Sequence, residues 1–490
     1  MISKDPFVGL EPVALWKHFA EIVRIPRPGG QEAAVKEWLV NWADKNDFSH
    51  RLDSAGNICI YVPASQGLSD SPTIALQGHL DMVCIAIENS TSDPAAGKIE
   101  IIRDKDWIVA PESTLGADNG IGVTAAMALA ESDNLPHGPL ELLFTVEEET
   151  TFKGAIELDP SLINADKMIN LDWADNNINL VIGSAGGNGS LIKWPTPDKP
   201  IPDGWTVFNI SLTGLTGGHS GDDIEKNRLN GIKGIVWLIQ KIKENITICL
   251  CELSGGYAGN AIPIHGQTTI AIPPTEIHQL EEIYKSVTEN LTNRFSLTDP
   301  DLTFSKTIVD NQAINCWSDD RCNRLIDLLS VIPSGVIAME QTSSHLVETS
   351  NNLGVLKVRD NTLGFVCFTR SSVWDAQEQV AASIKSAARL AGAEFIPAKN
   401  PTSPWRIPND SALLSIAQAA YRELFQNEIP LVTTHAGLEC ATIQGHFSEM
   451  DVISLGPVIQ NLHKPGERVS ISSVSEFYEH LCQIIRMLSS

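Results

Sequence analysis

Residues 74–83 read IALQGHLDMV, an apolar run of strand length that ends in His79 and Asp81. Other apolar runs have the same form, each bounded by Gly, Pro, Asn or Asp, as strands usually are: NICIYVP, LELLFTV and KMINLD. A helix, NGIGVTAAMALAES, opens with a Gly-rich turn between two of these runs. Because strands alternate with helices, the sequence predicts an α/β domain with a mostly parallel sheet.

The pattern starts again after GSAGGNGS (183–190). From there the sequence predicts a separate α/β layer, or a pair of similar halves, with one long helix over residues 222–244. A Pro-rich stretch, PAKNPTSPWRIPND (397–410), then returns the chain to the first pattern. We therefore predict a catalytic metal-binding domain of residues 1–186 and 399–490, interrupted by an inserted α/β lid and dimerisation domain of residues 187–398.

Composition narrows the classes of function. The chain has 35 Lys and Arg against 60 Asp and Glu, a formal net charge of -25. A phosphate backbone or an anionic membrane surface attracts a basic stripe, and none is visible, so we expect neither nucleic acid nor a membrane as partner. The 9 cysteines include no CxxC pair, and the N-terminal stretch has no apolar run of signal-peptide length. We therefore expect reduced thiols and a cytoplasmic location.

Acids and histidines follow the ends of the predicted strands. Separate segments supply them: His79 with Asp81, Asp118, Glu147 to Glu149, Asp172, and His463. Any one of them alone could be a solvated loop residue or a helix cap, but their coincidence is harder to explain in that way. In open α/β sheets, ligands bind beyond the carboxyl ends of the strands. The sequence therefore predicts a cluster of carboxylates and imidazoles at one edge of the sheet.

Such a cluster suits a pair of divalent cations. Two zinc ions about 3.5–4 Å apart share a bridging carboxylate, and each ion also takes a histidine and an acid. Asp118 would bridge the ions, His79 and Asp172 would complete one site, and Glu149 and His463 would complete the other. Because nitrogen and oxygen ligands accept several metals, we expect zinc, with manganese or cobalt as alternatives.

Two further acids have predicted roles beside these ligands. Glu148 would take the proton of the attacking water and pass it to the leaving amine. Asp81, two residues after His79, would hydrogen-bond that imidazole and fix its tautomer.

These segments resemble the dimetal peptidase superfamily of aminoacylases, carboxypeptidases and carnosinases, and within it the aminoacyl-histidine (Xaa-His, or cytosol non-specific) dipeptidase family. The resemblance runs in order along nearly the whole chain, through GHLDMV, TLGADNGIG, FTVEEETTFKGA, GGHSGDDI, GNAIP, FTRSS, HAGLEC and GPVIQNLHKPGERV. It implies a homodimeric enzyme that hydrolyses Xaa-His and broader L-dipeptides with a bridging hydroxide and a glutamate general base.

The resemblance also implies residues that bind the substrate. His219 matches a lid histidine that reaches the scissile carbonyl oxygen, in related dimers from the neighbouring subunit. Asn260 and Arg370 match residues that grip the free carboxylate of the substrate, and the arginine fork suits such a group. Gly437 matches a backbone contact in the same pocket.

The chain departs from the family pattern at two places. Family members commonly have Asp-Glu-Glu, a small residue and Gly, where residues 147–151 here read EEETT. The downstream KGA (153–155) makes Glu148 the base and Glu149 the ligand, and a slip by one, to Glu147 and Glu148, is the alternative. Trp173 stands where a smaller polar residue is common.

Two other functions stay open. One keeps the chemistry and changes the substrate, as in an N-acyl amino acid amidohydrolase or a tripeptidase of the same superfamily. The other is a catalytically inactive protein that binds peptides or metals. The presence of Glu148 and Asp81 disfavours it, since a binding protein needs no base.

Overall fold

A computed structural model describes residues 5–309, 314–340, 346–408 and 410–489. The chain divides into two compact units: the first comprises Met1–Gly183, Trp405–Thr433 and Leu438–Ser490, and the second Ser184–Pro404 and Thr434–Gly437. The return to the first unit falls at Trp405, later than expected, because this indole is buried in that unit's core. Residues 1–4, which begin the N-terminal stretch considered above, and residue 409 of the predicted linker lie outside the described residues.

The first unit is built on a nine-stranded sheet. Its strands follow the order Ser49–Leu52, Ile58–Val62, Leu140–Thr145, Ile74–His79, Lys167–Asn170, Asp451–Ser454, Leu180–Ser184 and Trp405–Arg406, with Leu431–Thr434 paired to Leu180–Ser184. The four central strands, from Leu140–Thr145 to Asp451–Ser454, are parallel to one another. Antiparallel strands flank them. Parallel strands end at one edge, so the segments that follow them meet there.

Helices cover both faces of this sheet. They are Val13–Ile22, Ala33–Lys45, Ala117–Ala130, Lys153–Ile156, Ala412–Phe425, Glu439–His446 and Ile471–Leu488. Alternate residues of the central strands therefore enter two apolar clusters, with Leu76 and Leu142 in one and Ala75 and Leu143 in the other. A small sheet adds the strands Ile459–Gln460, Arg468–Ser470, Trp107–Val109 and Ile102–Asp104.

The second unit contains one antiparallel sheet of nine strands. Their order is Thr303–Val309, Thr206–Thr213, Gly266–Ile272, Cys249–Gly255, Val347–Arg359, Thr362–Ser371, Gly186–Pro195 and Glu394–Pro397, with Gly335–Met339 paired to Val347–Arg359. Its helices are Gly231–Lys243, Ile277–Phe295, Asp319–Val331 and Trp374–Ala391. Helix and sheet share an apolar core that includes Leu238, Ile270 and Phe365. Two short pairs complete it, Lys199–Pro200 with Asn315–Cys316 and Gly218–His219 with Ala261–Ile262.

The predicted helix over residues 222–244 is too long at its N-terminal end. The helix begins at Gly231, because the side-chain oxygen of Asn230 accepts hydrogen bonds from two amides of the first turn. Upstream, Asp223 accepts hydrogen bonds from Lys226 Nζ and from the amide of His219, and the chain forms only a short 3-10 helix, Ile224–Lys226. Among the described residues, no helix combines the length and apolar character needed to cross a membrane.

A buried histidine makes the stability of the first unit depend on pH. His480, in the helix Ile471–Leu488, is 1% exposed, and its Nε2 lies 2.8 Å from the carbonyl oxygen of Ala417. Its Nδ1 has no hydrogen-bond partner among the described residues. Burial lowers the pKa of His480 from 6.5 to about 4. The folded chain therefore disfavours the charged imidazole, and this contribution to stability is complete above pH 6.5 and lost as the pH falls towards 4.

We expect His480→Gln to flatten the dependence of unfolding free energy on pH. Glutamine can keep the hydrogen bond to Ala417 but does not titrate, so wild type should lose about 3 kcal/mol more than the variant between pH 7 and pH 4. Urea unfolding at several pH values measures this difference. His278→Gln, at a side chain that is 88% exposed, is the control and should follow wild type. Parallel curves for His480→Gln and wild type would contradict the assignment.

Candidate metal centre

Asp118 lies at the centre of the cluster, with its two carboxylate oxygens turned to different histidines. Oδ1 is 2.9 Å from His79 Nε2, and Oδ2 is 3.3 Å from His463 Nε2. Gly116, in the left-handed region at φ 74°, precedes this turn, and Asp118 itself is extended at φ -81° and ψ 114°. One carboxylate that faces two imidazoles has the geometry of a bridging ligand.

His79 and Asp172 form one side of the cluster. His79 Nε2 is 3.2 Å from Asp172 Oδ1, and both side chains are buried. The other ring nitrogen, Nδ1, lies 3.1 Å from the carbonyl oxygen of Asp81, which can accept a hydrogen bond from it. That bond leaves the lone pair of Nε2 facing the cluster, as a metal ligand requires.

Asp81 approaches His79 Nδ1 most closely with its carbonyl oxygen, and its carboxylate also lies next to that nitrogen. Its carboxylate lies 3.5 Å from His79 Nδ1, farther than its carbonyl oxygen does. The carboxylate instead accepts hydrogen bonds from the amides of Glu148 and Glu149, at 2.9 and 3.1 Å. Asp81 thus joins the end of one strand to the acidic segment after the next, a contact that the sequence did not predict.

His463 and Glu149 form the other side. His463 Nε2 is 3.0 Å from Glu149 Oε2. Burial lowers the pKa of His463, but its bonds to Asp118 and Glu149 outweigh that effect and raise it to about 11. The second oxygen of Glu149 is buried and has no hydrogen-bond partner among the described residues. An unpartnered carboxylate oxygen in this position suits a cation.

The side chains of the consecutive acids Glu147 and Glu148 lie in different surroundings. Glu147 is held by Lys153 Nζ and Thr151 Oγ1, both at 3.2 Å. Glu148 Oε2 instead lies 4.0 Å from His79 Nε2. Burial raises the pKa of Glu148 well above its ordinary value, and the charge of Glu149 adds to this effect.

Three groups of ligand atoms each lie within 4.8 Å of one another. They are His79 with Glu148 and Glu149, His79 with Asp118 and Asp172, and Asp118 with Glu149 and His463. Burial raises the pKa of Asp172 to about 8, and the charge of Asp118 adds to it. Carboxylates crowded in this way repel each other, and two divalent cations would offset the repulsion. The donor set of imidazoles and carboxylates fits zinc or a similar ion.

A buried polar network in the first unit was not predicted. Glu439 accepts hydrogen bonds from Gln77 Nε2 at 2.7 Å and from Thr145 Oγ1 at 2.6 Å, and Gln77 accepts one from Asn170 Nδ2 at 2.5 Å. Gln77, Thr145 and Asn170 lie in the three strands that lead to the ligands. Their polar side chains in otherwise apolar runs are the signal that could have identified the network.

Trp173, the departure next to Asp172, packs against the apolar cluster of the first unit that contains Leu143. Its carbonyl oxygen lies so close to Gly456 that a Cβ at that position would collide with it. The tryptophan is therefore a packing residue beside a ligand.

The second unit brings together the residues assigned from the resemblance. His219 Nε2 is 3.1 Å from Arg370 Nη2, and Ser220 donates its amide hydrogen to the carbonyl oxygen of Asn260 at 2.8 Å. A Cβ placed on Gly437 would lie 3.8 Å from Arg370 Nη1. The four residues are thus neighbours in this unit.

Arg370 is buried and lacks a bound carboxylate among the described residues. Its side chain donates from Nε to Ser220 Oγ at 3.4 Å and contacts His219 through Nη2. Burial lowers its pKa to about 10, and the charge of Asp222 opposes this shift. His219 Nδ1 lies 3.1 Å from Asp222 Oδ2, so Asp222 orients the imidazole that contacts Arg370.

His435 was also missed, although it lies in the quoted segment HAGLEC. Its Nε2 is 2.7 Å from Ser350 Oγ. Burial and the charge of Arg370 lower its pKa to about 4, so the ring is neutral at pH 7. A neutral imidazole adds a hydrogen-bonding group near Arg370 without repelling the guanidinium.

These features define a class of protein. The chain belongs to the family described as peptidase family M20/M25/M40, whose sequence profile matches residues 75–487, and it is a hydrolase that acts on peptide bonds. Cytosol non-specific dipeptidase from Escherichia coli (strain K12) is 33% identical over 477 residues, which cover 97% of this chain and 98% of that protein. The resemblance stated from the motifs is therefore confirmed.

Solved structures agree with this assignment. Aminoacylhistidine dipeptidase from Vibrio alginolyticus has a TM-score of 0.82 at 31% identity, with 99% of this chain and 98% of that chain covered. Aminopeptidase PepT from Bacillus cereus has a TM-score of 0.56 at 16% identity over 98% of this chain and 100% of that chain, and shares the fold. The predicted α/β class is confirmed as well.

Replacement of the bridging carboxylate should remove metal. Asp118→Asn keeps the shape of the side chain but loses its charge, so we expect wild type to retain two divalent ions per chain and the variant to retain one or none. Elemental analysis after dialysis against buffered zinc measures the content. Asp104→Asn, in an exposed strand of the same unit, is the control and should bind as wild type does. Two ions retained by Asp118→Asn would rule out a bridging role.

Proposed function

We propose that this chain is a two-metal dipeptidase that hydrolyses L-dipeptides, including those of the Xaa-His type. The observation that carries the proposal is the placement of Asp118 between His79 and His463. The names of the two relatives that match over nearly their full lengths, a non-specific dipeptidase and an aminoacylhistidine dipeptidase, support the choice of dipeptides as substrates.

The metal ions would be held by five residues: His79, Asp118, Glu149, Asp172 and His463. We propose zinc, with manganese or cobalt as alternatives, because the donors are nitrogen and oxygen only. Bound ions of this kind lower the pKa of water and polarise a carbonyl group.

Glu148 is the proposed general base. It would accept a proton from the attacking water as the bond from oxygen to the carbonyl carbon forms, and return that proton to the amine nitrogen as the carbon–nitrogen bond breaks. Its position suits this role, because Glu148 Oε2 lies 4.0 Å from Nε2 of the proposed ligand His79, and a base must lie beside the water from which it accepts a proton. Asp81 keeps His79 and the acidic segment in register.

The second unit would recognise the rest of the substrate. We propose that Arg370 binds its free carboxylate, with Asn260 and Gly437 beside it, because a buried guanidinium without a bound carboxylate favours such a ligand. His219 would stabilise negative charge on the scissile carbonyl oxygen.

We propose further that the enzyme is a cytoplasmic homodimer. The name of the Escherichia coli relative supports the compartment. The resemblance to a lid histidine that acts across a dimer supports the assembly, with the second unit as the lid and dimerisation domain.

Glu148→Gln should lower kcat about 10²- to 10⁴-fold while both metal ions are retained, because it removes only the proton acceptor. Initial rates on a panel of dipeptides, tripeptides and N-acylated amino acids, combined with elemental analysis, measure this and identify the substrate class. Glu147→Gln is the matched control: its carboxylate contacts Lys153 and Thr151, so the rate should stay near that of wild type. A larger loss of rate in Glu147→Gln than in Glu148→Gln would contradict this assignment and favour Glu147 as the base and Glu148 as the ligand.

Arg370→Met should raise KM for dipeptides that have a free C-terminal carboxylate, by about 10- to 100-fold, because a charged hydrogen bond is lost. The same dipeptides with an amidated C-terminus serve as the internal control, since they offer no carboxylate and should show little change. Steady-state kinetics on both substrate sets measure the effect. An equal change in KM for acid and amide would refute carboxylate recognition by Arg370.

A further inference from the structure

Two buried charged residues of the first unit have no part in the proposed reaction. Arg27 is 0% exposed and Glu467 is 3% exposed. Burial of a charge is costly unless its hydrogen bonds are satisfied, so both need a structural reason for their place. The reason lies in the backbone turn that precedes Asp118.

Glu467 holds this turn through its amides. Its Oε1 accepts a hydrogen bond from the amide of Ala117 at 2.8 Å. Its Oε2 accepts from the amides of Leu115 at 2.7 Å and Gly116 at 3.1 Å. Glu467 follows His463 by four residues. One carboxylate therefore ties the segment that carries His463 to the turn that carries Asp118.

Arg27 holds the same turn through its carbonyl. Its Nη2 donates to the carbonyl oxygen of Gly116 at 2.6 Å. Its Nη1 donates to the carbonyl oxygens of Leu80 at 3.0 Å and Asp81 at 2.9 Å. Leu80 and Asp81 directly follow His79, and the carbonyl oxygen of Asp81 also contacts Nδ1 of His79. The guanidinium therefore ties the His79 segment to the turn before Asp118.

Gly116 is the point at which the two residues act together. Arg27 binds its carbonyl oxygen, and Glu467 binds its amide. A Cβ at Gly116 would collide with Arg27 Nη2 and with Met82 Sδ, and its φ of 74° also favours glycine. A side chain at position 116 would therefore displace the residues that hold this turn.

We propose that Arg27 and Glu467 are positioning residues that set the spacing of the segments carrying His79, Asp118 and His463 before metal binds. The inference rests on the proposed function in that it takes these three residues as metal ligands. A geometry fixed in advance by such contacts raises metal affinity, because the ligands need not be ordered on binding. If Glu467 served only to cap the helix Ala117–Ala130, its loss would lower stability alone.

The test uses Glu467→Gln and Arg27→Lys in the full chain. The glutamine places an NH₂ group against amide donors, and the lysine has a single nitrogen in place of the fork that spans three carbonyls. Glu141→Gln is the matched control. Glu141 is also 3% exposed, and its carboxylate accepts hydrogen bonds from the amides of Asn164 and Ala165, which lie in a loop that carries no proposed ligand. Zinc affinity of the metal-free protein, from competition with a chromophoric chelator, and the metal-free Tm are measured for each.

We expect the two test variants to bind zinc about 10- to 100-fold more weakly than wild type. Glu141→Gln should lower the metal-free Tm by a comparable amount and keep wild-type affinity. The double variant should lose less affinity than the product of the single losses, because both residues act on one turn.

Wild-type affinity in both test variants, or an equal loss of affinity in Glu141→Gln, would overturn the inference and leave the proposed function standing. If neither test variant folds, Arg27 and Glu467 are required for folding, and the proposed positioning role is overturned. Absence of zinc binding by wild type would overturn the proposed function, and this inference with it.

Discussion

Repulsion among acids is the interaction around which the first unit is organised. Asp118, Glu148, Glu149 and Asp172 crowd against only two imidazoles, and burial together with mutual repulsion raises the pKa of Asp172 to about 8. Such an arrangement costs free energy in the absence of cations, so other contacts must hold it in place. The amides that bind Asp81 and Glu467, and the network around Glu439, are those contacts.

The sheet explains how ligands so distant in sequence meet. The four parallel strands place the ends of Ile74–His79, Leu140–Thr145 and Lys167–Asn170 side by side, which brings His79, the acidic segment and Asp172 to one edge. Asp118 and His463 come from turns, and each is held by hydrogen bonds to neighbouring segments. Strand ends supply His79, the acidic segment and Asp172, while the turns supply the carboxylate that faces both imidazoles and the second imidazole.

Part of this organisation could be read from one sequence. Short apolar runs that end in acids and histidines predicted the α/β class and the side chains that the structure brings together, because both depend on local patterns. The predicted helix over residues 222–244 was too long because its apolar spacing continues upstream of the true start. The Asn230 side chain caps the helix, which therefore begins at Gly231. The carboxylate of Asp81 lies beside His79 Nδ1, as predicted, and its carbonyl oxygen lies closer still, a contact that a residue pattern does not show. Arg27 and Glu467 were missed because nothing local shows that a charged side chain is buried.

The order of the ligands along the chain has a consequence for biosynthesis. The strand Asp451–Ser454 pairs with Lys167–Asn170, and His463 follows it, so the central sheet lacks a strand until most of the 490 residues have been made. All of Ser184–Pro404 leaves the ribosome earlier and has its own core. A chain that stops before His463 therefore has only one of the two imidazoles that face Asp118.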